Sequence, residues 1–150
     1  MAVTMSGEFV LPADRATVWA RLNDADTLRA SIPGCESLEK LSDTELQAAV
    51  KVKIGPVSAR FKGKVNLTDI DAPNGYRISG QGEGGIAGFA KGGANVRLAE
   101  AEGGATRLSY DVDAQVGGKI AQLGSRLIMS TSKKLAGEFF STFNQRVSGG

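Results

Sequence analysis

The sequence predicts an α+β domain: a curved antiparallel sheet of about seven strands around one long C-terminal helix, with two short helices after the first strand. Three observations carry this. Much of residues 46–116 alternates apolar and polar with period two, the pattern of strands that are wet on one side. From Lys119 to about Val147 the apolar residues recur at threes and fours, the pattern of a helix. A sheet with one apolar face also needs a cover, and that helix is the one element large enough to supply it. The 150 residues fit a single domain, 1–150, with chain enough to bury a core.

The elements follow in order. Residues 3–11 read as a strand with Met5, Phe9 and Leu11 on one face. Pro12 then introduces a short helix, with Asp14 and Thr17 as its N-cap region and Val18, Trp19 and Leu22 as its apolar stripe. A second short helix starts near Asp24 or Asp26, carries Leu28 and Ile32, and ends before Pro33-Gly34. After Cys35 the period becomes two. Leu46, Ala48, Val50, Val52 and Ile54 share one face, Gly55-Pro56 turns the chain, and Val57, Ala59, Phe61, Gly63, Val65 and Leu67 return on that face. Asn74-Gly75 marks a hairpin leading to Tyr76, Ile78 and Gly80. Strands near 88–99 and at 105–116 complete the sheet. Gly117-Gly118 ends it, and the helix from Lys119 would run for about 40 Å.

Composition excludes much chemistry. There is no histidine and a single cysteine. Ser-His-Asp and Cys-His nucleophile systems, imidazole metal ligands, internal disulfides and CxxC pairs are all ruled out. A net charge of +2 and few aromatics, not interleaved with the basic residues, argue against nucleic acid. No run approaches a membrane span, and the N-terminus lacks the basic-then-apolar order of a signal peptide. With its free thiol the chain is expected in the cytoplasm. Glycine, 20 of 150 residues, is nearly twice its usual share of ~7%.

Gly80-Gln81-Gly82-Glu83-Gly84-Gly85 matches GxGxxG, but its flanks read as antiparallel hairpin strands rather than a strand and a helix, so it is no dinucleotide site. Ala59, Gly63, Gly80 and Gly82, joined by Gly88, Ala90, Gly92 and Ala94, put small side chains on the inner face. They either leave apolar space for a ligand or let the sheet bend. Lys51, Lys53, Arg60, Lys62 and Lys64 form one basic outer face. It reads as a solvated face that discourages edge pairing, or as a docking surface for an acidic protein or an anionic membrane. Asp111 and Asp113 lie on the wet parity and lack a pocket that would fit them for catalysis. Phe139 and Phe143 read as core, and Phe140 lies off their stripe. Cys35 is structural.

Three ordered segments carry a resemblance: Ser31-Ile32-Pro33-Gly34-Cys35-Glu36-Ser37-Leu38, Gly55-Pro56-Val57-Ser58-Ala59-Arg60-Phe61-Lys62-Gly63, and Gly117-Gly118-Lys119-Ile120-Ala121-Gln122-Leu123-Gly124-Ser125-Arg126-Leu127-Ile128. With the Val18-Trp19 helix, they make the chain resemble the G-subunit family of carbon monoxide dehydrogenase over almost all of residues 4–147. The resemblance implies a START-like helix-grip fold of the polyketide cyclase–lipid transport superfamily, with an apolar cavity between sheet and long helix. It also implies an accessory role, without catalysis, beside a molybdenum-containing oxidoreductase of the carbon monoxide dehydrogenase type. Membrane recruitment of that enzyme, with peripheral contact at the inner membrane, and a bound quinone or lipid are part of the same picture.

On this basis the expected ligand site takes Leu28 and Ile32 at its mouth. The sheet would contribute Val52, Phe61, Ile78, Phe89, Tyr110 and Val112, and the helix Ile120, Leu123 and Leu127. Tyr110 offers a hydroxyl to a quinone carbonyl. The basic face of Lys51, Lys53, Arg60, Lys62 and Lys64 would dock the oxidoreductase or the lipid surface. No metal and no resident cofactor are expected. A cargo-free recruitment factor, or a cyclase- or hydrolase-like enzyme on the same fold, are the alternatives. An inward-facing acid, or an inward-facing lysine, would favour the enzyme.

Overall fold

The computed structural model describes residues 1–148. Seven strands form one sheet: β1 (Ala2–Leu11), β2 (Cys35–Lys40), β3 (Glu45–Ile54), β4 (Val57–Asp71), β5 (Gly75–Glu83), β6 (Phe89–Glu100) and β7 (Thr106–Gly117). Their spatial order is β1-β7-β6-β5-β4-β3-β2, with every neighbour antiparallel. From β2 to β7 the chain is a continuous meander. β1 then closes the far edge against β7. Parity is as expected along β4, where odd positions face inward and even ones are exposed from Val57 to Leu67.

Two short helices, α1 (Arg15–Leu22) and α2 (Ala25–Ser31), follow β1. Both are capped by aspartate: Asp14 accepts from the Thr17 amide at 2.8 Å and Asp24 from the Thr27 amide at 3.1 Å. The Thr106 hydroxyl donates to the Ala13 carbonyl at 2.7 Å, and Arg15 donates to Asn74 Oδ1 at 2.6 Å. These bonds tie the start of α1 to the β4–β5 turn and to the first residue of β7.

The long helix differs at its start from the sequence expectation. Lys119–Leu123 forms a separate 3₁₀ turn, Gly124 breaks the chain at φ 92°, and α3 runs over Ser125–Ser148. Its 24 residues span about 36 Å. Ile120 and Leu123 therefore stand before the helix and not on it. β2 is the other difference, since its alternation is broken by a bulge between Cys35 and Ser37.

The interior divides into two apolar groups. The larger gathers Leu11, Val18, Leu67, Val96, Leu108, Phe143 and neighbours under α1 and the C-terminal half of α3. The smaller gathers Val3, Ala87, Val116, Ile120 and Ile128, with Phe61 packed against them, at the opposite end. Among the small inner-face residues, Gly63 and Gly80 serve the bend. A Cβ on Gly63 or Gly80 would lie 2.5 Å from a carbonyl oxygen of the adjacent strand, so these positions exist for close backbone approach.

Candidate ligand-binding cavity

A cavity of about 390 Å³ lies between the sheet and the helices, at the end covered by α1, α2 and the C-terminal half of α3. Its wall crosses the sheet from Leu38 and Lys40 on β2 to Met5 on β1. Leu28 and Ile32 come from α2 and its end, Ile78 from β5, and Tyr110 and Val112 from β7. α3 closes it with Ala136, Phe139 and Phe140. Size and lining suit an apolar small molecule.

Local physics explains the aromatic side of this wall. Phe140 stacks on Phe9 at 4.2 Å between centroids and on Tyr110 at 5.8 Å, with Phe139 set edge-on against it at 4.9 Å. The residue that falls off the apolar stripe of α3 is thus half-buried in the cavity wall. A Cβ at Gly7 would meet the Tyr110 hydroxyl oxygen at 2.7 Å, so the tyrosine ring lies where only glycine leaves room.

Four polar residues border this apolar space: Asn23, Lys40, Tyr76 and Tyr110. Lys40, inward by parity but exposed, sits at the rim on the edge strand, and its ammonium donates to the Asn23 carbonyl oxygen at 3.2 Å. That bond ties the α1–α2 turn to β2 across the opening. Tyr110 is half-buried, while Tyr76 is only 6% exposed and lies beneath α1, its ring 5.2 Å from that of Trp19. Burial pushes the Tyr76 phenol up to about 12, so it stays protonated.

Of the expected ligand residues, the structure gathers Leu28, Ile32, Ile78, Tyr110 and Val112 into the cavity wall. The other six lie elsewhere. Phe61 and Ile120 belong to the apolar group at the opposite end. Leu127, in the first turn of α3, lies over Gly55 at the β3–β4 tip, and Val52 pairs with Ala59 near that tip. Leu123 closes the 3₁₀ turn. Phe89 has the opposite parity to Ala90 on β6, so it faces outward and is 44% exposed. Sequence reasoning passed over Tyr76, whose inward parity was legible, and Lys40, whose strand was not.

The basic residues lie on the outer face of β3 and β4, away from the cavity. The Arg60 guanidinium donates to both carboxylate oxygens of Glu36, which holds that carboxyl below its ordinary range. Arg60 is therefore neutralised, a partner invisible in sequence because β2 brings it in. Lys51, Lys53, Lys62 and Lys64 enter no ion pair among the described residues. On β7, Asp113 pairs with Arg77 and Asp111 accepts from Asn95, so both act in outer-face contacts. Gly80 to Glu83 lie inside β5, and a 3₁₀ turn at Gly85–Ala87 leads into β6, which removes the strand–helix context of a dinucleotide site. Cys35 Sγ donates to the Ser37 carbonyl, and burial pushes its thiol up, which disfavours the thiolate.

An antiparallel sheet wrapped around a long C-terminal helix, with an apolar cavity between them, defines a START-like helix-grip protein. Within that class the chain belongs to the carbon monoxide dehydrogenase G-subunit (CoxG) family, whose family model matches residues 7–148. A conserved protein from Geobacillus kaustophilus has a similar structure at TM-score 0.92 and 29% identity, over 98% of this chain and 96% of that one. More distant likenesses extend to a START superfamily protein from Mycobacterium smegmatis (TM-score 0.73, 14% identity, 97% of each chain). The Zhui aromatase/cyclase from Streptomyces sp. R1128 is similar at TM-score 0.72 and 9% identity, over 99% of this chain and 94% of that one. These two share the fold alone. A comparison with curated proteins finds no match. Family and fold support a ligand-binding accessory protein, and the family's name associates it with carbon monoxide dehydrogenase. Among the described residues no helix is long and apolar enough to cross a membrane.

Proposed function

We propose that the protein is a non-enzymatic accessory factor that carries a quinone or another isoprenoid or lipid-like molecule in the cavity under α1, α2 and α3. It would serve a molybdenum-containing oxidoreductase of the carbon monoxide dehydrogenase type, in quinone delivery or membrane recruitment. The observation that carries this reading is the cavity itself: about 390 Å³ of space with an aliphatic and aromatic wall. Its chemistry supports binding over reaction. Among the described residues no acid lines it, and its one lysine stands at the rim, bonded to a backbone carbonyl. Solvent extraction of the protein purified from its native host, followed by mass spectrometry, is expected to release an apolar molecule in near-stoichiometric amount. An empty extract, together with no binding across a quinone and lipid panel, contradicts the carrier reading.

A cargo-free recruitment factor is the second reading, favoured by Lys51, Lys53, Lys62 and Lys64 projecting from the outer sheet face. Reversing these four charges separates the two roles. Docking to the oxidoreductase or to anionic vesicles is expected to be lost while ligand binding persists.

A further inference from the structure

The ligand-carrying reading leaves open which end of the ligand is buried. The hydrogen bonding of Tyr76 bears on this. Its side chain lines the cavity and is 6% exposed, yet no protein group among the described residues bonds its hydroxyl. Buried hydroxyls are nearly always paired, because leaving one unmade forfeits its bond to water. The hydroxyl is not sealed in the core either, since the one fully buried side-chain oxygen without a partner is Ser31 Oγ. The cavity that the Tyr76 side chain lines is the space available for a partner.

We propose that the cavity takes a planar, carbonyl-bearing apolar molecule head first, with the Tyr76 hydroxyl donating to a carbonyl oxygen at the buried end and an apolar tail leaving past Leu28, Ile32 and Leu38. The proposal rests on the carrier reading and adds an orientation to it. The phenol is protonated and can donate, and a ligand carbonyl supplies the acceptor it lacks in the protein. Phe139 and Phe140 line the same cavity, an aromatic wall that suits a planar ring. The rim is aliphatic apart from Asn23 and Lys40, and the Lys40 ammonium is already engaged by Asn23. This favours a tail over an anionic head at the opening.

Trp19 is the single tryptophan and lies 5.2 Å from the Tyr76 ring, so it reports on this end of the cavity. Two probes decide the matter: a 1,4-naphthoquinone with a short prenyl tail, and the prenylnaphthalene that lacks its carbonyls. Calorimetry gives both affinities, and quenching of Trp19 locates the quinone ring. Tyr76→Phe is expected to weaken the quinone about 10-fold and the hydrocarbon less than about 2-fold. Lys40→Met, which removes a roof anchor, should change both affinities alike, and the quinone should quench Trp19 strongly in the wild type. Equal effects of Tyr76→Phe on both probes, or a selective loss in Lys40→Met, overturn the head-first orientation alone. Failure of both probes to bind the wild-type protein overturns the carrier reading with it.

Discussion

The two ends of the interior are built from the same sheet and the same long helix, yet one holds a cavity and the other is filled. At the filled end, Ile120 comes from the 3₁₀ turn and Ile128 from the first turns of α3, and both join Val3, Ala87 and Val116 in one buried group with Phe61 packed against it. Alanines at 59, 90 and 121 let the layers approach there. At the cavity end, α1 and α2 hold an extra layer over the sheet, fixed by Arg15 to Asn74, Thr106 to Ala13 and Lys40 to Asn23. A roof pinned by polar bonds at its margin cannot collapse onto the sheet below it. The difference lies in what fixes the separation between layers: side-chain volume at one end, hydrogen-bonded anchors at the other.

The largest effect should come from adding volume at each end. Ala94→Phe, in the cavity wall, is expected to weaken ligand binding by at least about 100-fold with little change in melting temperature. Ala90→Phe lies four residues away on the same strand, in the filled group, and should instead destabilise the fold by ~1–3 kcal/mol from overpacking. Calorimetric titration and thermal unfolding of the two variants check this. Equal destabilisation by both erases the distinction. Removing volume sharpens it. Ile120→Ala, 4% exposed at the filled end, should cost ~2–5 kcal/mol, while Ile78→Ala, which already faces open space, should cost clearly less in denaturant titrations.

The smallest expected effect concerns pH. Hydrogen bonds from Thr27 hold the Asp24 carboxyl below its ordinary value of 3.8, and Asp14 is lowered in the same way by Thr17. A carboxylate with a lowered folded pKa adds stability above its unfolded pKa, and that stability fades as pH falls through the folded one. Both aspartates cap the roof helices, so acidification below about pH 4 should loosen α1 and α2 before the filled end. Asp24→Ala should cost about 1 kcal/mol at neutral pH and reduce the acid sensitivity of the roof amides in hydrogen exchange. Uniform protection across both ends under acid would contradict this.

Much of the fold was legible because alternation is a local signal. The faces of β3 and β4, the Asp14 cap and the Asn74-Gly75 hairpin follow from neighbours in sequence. β2 escaped because its bulge breaks the alternation, and with it went Leu38, Lys40 and the Glu36 partner of Arg60. The helix start moved because Gly124 interrupts an apolar pattern that continues through it. The glycines at 63 and 80, read from volume as either cavity or bend, serve the bend. The position of the cavity was illegible for a deeper reason. It depends on how far α3 stands from the sheet at each end, and that distance sums over volumes and anchors distant in the chain.

The central claim is that the space under α1 and α2 exists to be occupied. Native mass spectrometry of the wild type and Ala94→Phe, each purified from the native host, tests it most directly. The expected result is a wild-type species heavier than the chain by one apolar molecule, and a variant that folds but carries nothing. A wild type at the bare chain mass, or an adduct that survives unchanged in Ala94→Phe, would contradict it.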